Sequence, residues 1–133
     1  MMRIMVDTNV ILSAVIKRNS IPDQVLTDVC ENHELILCNY IVTECYVVAE
    51  RRFAAKLYVL DQLFSKLRYE IVAVPTLNEI GIRDKKDQPI LDAALGNDID
   101  VLITGDKHFL ELDIQKPIIC SPSAFKDKYM KTN

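Results

Sequence analysis

Short apolar runs alternate along the chain with longer stretches in which apolar residues recur every three or four positions, a pattern that predicts strands interleaved with helices. Met2 to Val6 predicts a central strand buried on both faces. Val10 to Ile16 predicts a short helix. Another opens at Ser20, where Ser20, Pro22 and Asp23 make a capping-box-like start and Ile21, Val25, Leu26 and Val29 recur at helical spacing. The run ELILC, Glu34 to Cys38, predicts a second strand, followed by a helix from about Tyr40 to Phe53. A further helix reaches about Leu67, on the stripe Leu57, Leu60, Leu63, Phe64 and Leu67. YEIVAV, Tyr69 to Val74, predicts a third strand closed by Pro75. After a loop through RDKKD, Pro89 to Leu95 predicts a helix stopped by Gly96, and VLIT, Val101 to Thr104, a fourth strand ending in GDKHF. PIIC, Pro117 to Cys120, is a candidate fifth strand, with SPSAFKDKYM as a capped terminal helix.

Strands alternating with helices imply parallel pairing through right-handed crossovers. The expected fold class is therefore α/β: a three-layer α/β/α sandwich around a mainly parallel sheet of about four to five strands. In such sheets the binding crevice lies beyond the carboxyl ends of the strands. Asp7 and Asp106 both fall there.

Composition narrows this further. With 133 residues and 50% hydrophobic content, the expectation is one globular domain over 1–133, burying about two-thirds of its unfolded surface. Neither linker, low-complexity segment nor repeat interrupts it. Asp7 breaks the first apolar run too early for a secretory core or a membrane span, so a cytoplasmic protein with no membrane partner is expected. Cys30, Cys38, Cys45 and Cys120 show no C-x-x-C spacing and have only His33 and His108 as possible soft co-ligands. They are expected to be free thiols. The net charge of -3 argues against a passive basic surface for nucleic acid, but two divalent cations held by acids would carry the balance to +1.

The aspartates carry the candidate chemistry. Asp7, Asp87 and Asp106 each precede an expected helix, where an aspartate can cap free backbone N–H groups for roughly 1 kcal/mol. Glu44 resists that explanation: with Ile41, Val47 and Val48 as helical neighbours it borders the apolar face, and Arg51 is a full heptad away. On the helix after RDKKD, Ile90, Leu91, Ala94 and Leu95 define an inward face from which Asp92 is expected to project away. Asp87 is expected to point toward the sheet's end. Asp84, between Arg83 and Lys85, reads as a solvated loop acid. Thr104 either satisfies a turn or orients a water, and His108 reads as structural or substrate-facing rather than as a ligand.

Four carboxylates in one crevice repel one another and shift toward the protonated form unless divalent cations sit among them. Oxygen donors without clustered His or Cys favour Mg²⁺ or Mn²⁺ over Zn²⁺. Such a site suits phosphodiester cleavage, one ion acidifying the attacking water and another steadying the leaving oxygen at a separation of roughly 3.5 to 4 Å.

VDTNVIL at the start, Glu44 in a helix after the second strand, RDKKDQPILDAAL and then VLITGDKHF together resemble the PIN-domain nucleases over nearly the whole chain, from Met2 to SPSAF. The similarity is nearest to the branch of VapC-type toxin ribonucleases. It implies a compact α/β/α fold and metal-dependent endoribonuclease activity on single strands, with Asp7, Glu44, Asp87 and Asp106 as catalytic metal ligands and Asn9 and Thr104 as supporting residues. Relatives often carry a second acid where this chain has Gln88, which leaves the choice between Asp84 and Asp87 open. The resemblance also implies an RNA substrate, a homodimer and silencing by a cognate antitoxin protein. Arg51, Arg52, Lys56, Lys85, Lys86 and Lys107 are candidates for an RNA path.

Two other classes stay open at this point. A haloacid-dehalogenase-type phosphatase also places an aspartate after its first strand, but its second acid stands two residues on, where this chain has Asn9. A PIN-like domain can also retain its acids and act only as an RNA-binding or scaffold module.

Overall fold

The computed structural model describes residues 1–77 and 79–130. Five strands, β1 (Arg3–Val6), β2 (Glu34–Cys38), β3 (Tyr69–Val72), β4 (Val101–Ile103) and β5 (Ile118–Cys120), form one sheet in the order β3-β2-β1-β4-β5. Every pairing is parallel. Met5 stands opposite Ile36 on one side and Leu102 on the other, so the middle of the sheet is a row of β-branched and long aliphatic residues. Ile4, Met5, Val6, Ile36, Leu37 and all of Val101, Leu102 and Ile103 are fully buried, as an unbroken apolar run in a central parallel strand requires. The edge strands differ: Ile71 in β3 and Ile118 in β5 are exposed.

The helices are α1 (Thr8–Ile16), α2 (Ile21–Asn32), α3 (Asn39–Arg52), α4 (Leu57–Lys66), α5 (Gln88–Gly96), α6 (Lys107–Leu110) and α7 (Pro122–Tyr129). The chain moves outward from β1 through β2 to β3, then returns across the sheet to β4 on the other side of β1. Right-handed crossovers send the helices of the two directions to opposite faces, which gives the expected three-layer sandwich. α1 packs on α2, α3 and α4, while α7 returns to lie on α2. Among the described residues no helix is long and apolar enough to cross a membrane. All four cysteines are free.

Most expected elements stand within a residue or two of their sequence boundaries. The third strand is shorter, ending at Val72 rather than Val74. Two short 3₁₀ turns were not expected: Ala54–Lys56 links α3 to α4, and Lys85–Asp87 replaces part of the RDKKD loop. The second is opened by Asp84, whose Oδ1 accepts the Lys86 N–H at 3.1 Å.

Local chemistry explains the boundaries. Ser20 caps α2 by accepting from the Asp23 N–H at 3.4 Å, and the Asp23 carboxylate reaches back to the Asn19 N–H at 2.8 Å. Ser20→Ala is expected to cost about 1 kcal/mol, read as a lower urea midpoint with an unchanged slope. Gly96 does not end α5 by adopting a left-handed backbone, since no glycine has positive φ. A Cβ there would lie 2.5 Å from the Pro75 ring, so its role is to let that loop approach.

Candidate metal centre

The order β3-β2-β1-β4-β5 reverses direction between β1 and β4, and ligand crevices of open α/β sheets form at such a reversal, outside the carboxyl ends of the strands. Asp7 follows β1 there, and Thr104 and Asp106 follow β4. The ladder runs into the site: the Asp7 N–H donates to the Ile103 carbonyl at 3.0 Å and the Thr104 N–H to the Cys120 carbonyl at 3.0 Å. Both side chains are therefore fixed to rigid backbone.

Asp7 is only 3% exposed. Its Oδ1 accepts the Thr8 N–H at 2.7 Å, which caps α1, and its Oδ2 accepts the Thr104 hydroxyl at 2.7 Å. Thr104 in turn accepts the Asp106 N–H at 3.0 Å, so one fully buried hydroxyl joins the two acids. Burial raises the Asp7 pKa above the usual carboxylate value. The Thr104 and Thr8 hydrogen bonds pull it down, and the charges of Glu44 and Asp106 push it up again, leaving it raised.

Glu44 enters from α3 and is joined to this cluster by Thr8, whose hydroxyl donates to its Oε1 at 2.6 Å. Of its helical neighbours Ile41 is fully buried while Val47 is 53% exposed, which puts Glu44 at the rim of the apolar face. Its partner is a hydroxyl facing the crevice.

Asp106 caps α6 by accepting the His108 N–H at 2.8 Å. Asp87 precedes α5 without capping it, because no backbone N–H reaches its carboxylate and Pro89 supplies none in the first turn. Its Oδ2 is buried without a hydrogen-bond partner. Burial, then a side-chain hydrogen bond with Asp106, then the charges of Asp106, Asp7 and Asp84 push Asp87 up to about 7. Ligand atoms of Asp84, Asp87 and His108 all lie within 4.8 Å of one another.

Asp7, Asp87 and Asp106 thus act on one another electrostatically, and Glu44 acts on Asp7. Tyr40 closes one side, donating its hydroxyl to the Lys86 carbonyl at 2.6 Å. Burial raises its pKa, followed by the charges of Glu44, Asp87 and Asp84. Asn9 is exposed on the first turn of α1. Lys85, Lys86 and Lys107 are exposed beside Asp84, Asp87 and Asp106, whereas Arg51 and Arg52 sit in the last turn of α3, about 10 to 12 Å along the helix from Glu44. Lys56 is exposed beside α1, its ammonium 3.4 Å from the Ile16 carbonyl.

The inward face assigned to α5 needs correction. Asp92 does not project away to solvent; it is 4% exposed, because the segment before α5 covers the helix's second face and Ile90 to Ala94 are all buried. Gln88 makes that cover, donating to the Ile80 carbonyl at 2.9 Å and to Asp92 Oδ1 at 3.0 Å while accepting the Ile82 N–H at 3.3 Å. The structure brings two further residues to this cluster that were not read as part of it, Thr8 and His108, and it adds Asp84, whose choice against Asp87 the sequence left open. Thr8 was visible in the DTN triplet and Asp84 in RDKKD, but no spacing rule ties His108 to residues more than twenty positions upstream.

The donor set fits a divalent cation. A buried carboxylate oxygen without a hydrogen-bond partner, among acids whose charges oppose one another, is relieved by a positive charge among them.

A family model described as PIN domain matches residues 3–108. No curated protein matches the chain. Among solved structures, VapBC2 from Rickettsia felis bound to a DNA fragment from its promoter is 19% identical, with a TM-score of 0.65 over 90% of this chain and 97% of that one. DNA-bound VapBC from Salmonella typhimurium is 18% identical, with a TM-score of 0.66 over 92% and 99%. Both likenesses are likenesses of fold.

Proposed function

The chain belongs to the PIN-domain family, and from that premise we propose that it is a Mg²⁺- or Mn²⁺-dependent endoribonuclease, the toxin component of a toxin-antitoxin pair. The observation that carries the proposal is the gathering of the Asp87, Asp106 and Asp7 carboxyls at the reversal point of the sheet, with the Asp87 Oδ2 buried and without a hydrogen-bond partner. Asp7, Glu44, Asp87 and Asp106 are the proposed metal ligands and catalytic residues, with Thr104 and Asn9 in support. A bound divalent cation supplies the positive charge that acidifies an attacking water and stabilises the departing oxygen of a phosphodiester.

The protein's own residues prepare for that. Thr104 and Thr8 hold Asp7 and Glu44 in fixed orientations through hydrogen bonds of 2.7 and 2.6 Å, so little reorganisation is left for the reaction. Asp87 gives up the proton it keeps in the cation-free protein. Lys85, Lys86 and Lys107 flank the acids and contact RNA phosphates, which makes binding weaken with salt. An antitoxin protein as partner and assembly as a homodimer in the cytoplasm belong to the same proposal, and the VapBC complexes of similar fold support the partner. The whole chain, 1–133, acts as one domain.

Purified protein offered single-stranded RNA, duplex RNA and single-stranded DNA tests the proposal. Products from single-stranded RNA with Mn²⁺ or Mg²⁺, and none with chelator, are the expected result. A folded protein that binds RNA and leaves it intact with either ion is instead a silent RNA-binding module.

The raised carboxyls add a pH prediction. A folded-state pKa of about 7 for Asp87 means that the folded protein holds a proton the unfolded chain has already lost between about pH 4 and 7. The unfolded state then binds fewer protons, so this group's contribution to stability falls as pH rises through that window. Cation-free protein is expected to melt lower at pH 8 than at pH 5.5 on this account, and Mn²⁺ to raise the melting temperature more at pH 8, where it meets no competing proton. Thermal unfolding with chelator and with Mn²⁺ at both pH values checks this. An equal increment at the two values would contradict it.

A further inference from the structure

We propose that the imidazole of His108 joins Asp84 and Asp87 as a nitrogen ligand in the crevice, so that the site favours Mn²⁺ over Mg²⁺. The inference rests on the proposed function only in requiring that a divalent cation enters the crevice.

His108 Nδ1 is buried and has no hydrogen-bond partner, although Asp106 Oδ1 lies 3.5 Å away. An unsatisfied buried nitrogen is costly and uncommon in a native protein. The other buried side-chain atom without a partner among the described residues is Asp87 Oδ2, in the same crevice. Both atoms belong to residues of one group, Asp84, Asp87 and His108, each of which offers a ligand atom within 4.8 Å of the others, and such a set is completed by a cation.

The imidazole is also held in place. Its own N–H in the backbone is tied to Asp106 Oδ1 at 2.8 Å, and the next residue, Phe109, is fully buried. Gln88, the polar residue adjoining Asp87, is committed to the Ile80 carbonyl, the Ile82 N–H and Asp92, so it offers the crevice no oxygen. Donors on this side are then the carboxylates of Asp84 and Asp87, with Asp106 beside them, and one imidazole. Mg²⁺ demands near-ideal octahedral oxygen ligation, whereas a first-row transition ion accepts imidazole nitrogen readily. A mixed set therefore discriminates between the two ions where an all-carboxylate set does not.

Electron spin-echo envelope modulation of the full chain loaded with Mn²⁺ reads the ligand directly. Modulation from a coordinated ¹⁴N is expected in the wild type and its loss in His108→Ala. In calorimetric titrations the same variant is expected to bind Mn²⁺ about tenfold more weakly with little change toward Mg²⁺. Bound Mn²⁺ without ¹⁴N modulation, or an unchanged Mn²⁺ affinity in the folded variant, overturns this inference and leaves the ribonuclease proposal standing. Absence of any Mn²⁺ binding to the wild type overturns both.

Discussion

Asp7→Asn is expected to reduce RNA cleavage by about 10³-fold or more, the several kcal/mol of transition-state stabilisation that a lost metal ligand removes, while the fold survives. The amide oxygen of Asn can still accept the Thr8 N–H that caps α1. Its NH₂ would face the Thr104 hydroxyl, which can rotate to accept from it while still accepting the Asp106 N–H. What disappears is a charge, one that burial already disfavours in the cation-free protein. The variant should therefore unfold at the same urea concentration as the wild type or a higher one. If Asp7 were only a helix cap, Asn would replace it with full activity. Single-turnover cleavage rates beside urea unfolding separate the two cases, since inactive but equally stable protein is the signature of a lost ligand.

Phe109→Ala is expected to cost about 3 to 5 kcal/mol, a large share of the roughly 5 to 15 kcal/mol that holds a typical domain folded. Phe109 is completely buried, yet its helix has only four residues, so little besides this ring fixes α6 to the core. Asp106 and His108 stand just before it on the chain. Truncation should loosen both, and cation affinity should fall in whatever fraction remains folded. Urea unfolding in the presence of chelator isolates the packing loss from any change in cation binding. A change below about 1 kcal/mol, far under the usual aromatic truncation, would mean that α6 is held by its cap alone.

Period and composition carry the strands, the long helices and the parallel order of the sheet because those depend on local patterns read over five to fifteen residues. The placement of Asp7 and Asp106 was legible for the same reason: Asp7 directly follows an apolar strand, Asp106 stands three residues beyond another, and strand ends in a parallel sheet share one edge. Glu44 stood out because a charge beside Ile41 contradicts the helix pattern around it. Asp92 shows where this reasoning runs out. A helical wheel assumes one buried face, but the segment before α5 folds over the other, and that cover depends on Gln88 reaching Ile80 and Ile82. His108 lay beyond reach for a related reason. Its approach to Asp84 and Asp87 is set by how the turn before α5 meets the start of α6, which no spacing along the chain encodes.

Isothermal titration of Mn²⁺ into chelator-stripped protein at pH 8, comparing the wild type with Asp87→Asn, tests most directly whether this crevice is a cation site. Saturable binding to the wild type that is lost or strongly weakened in the folded variant is the predicted result. A folded wild type that takes up no Mn²⁺, or a variant that binds it equally well, would contradict the assignment of these acids.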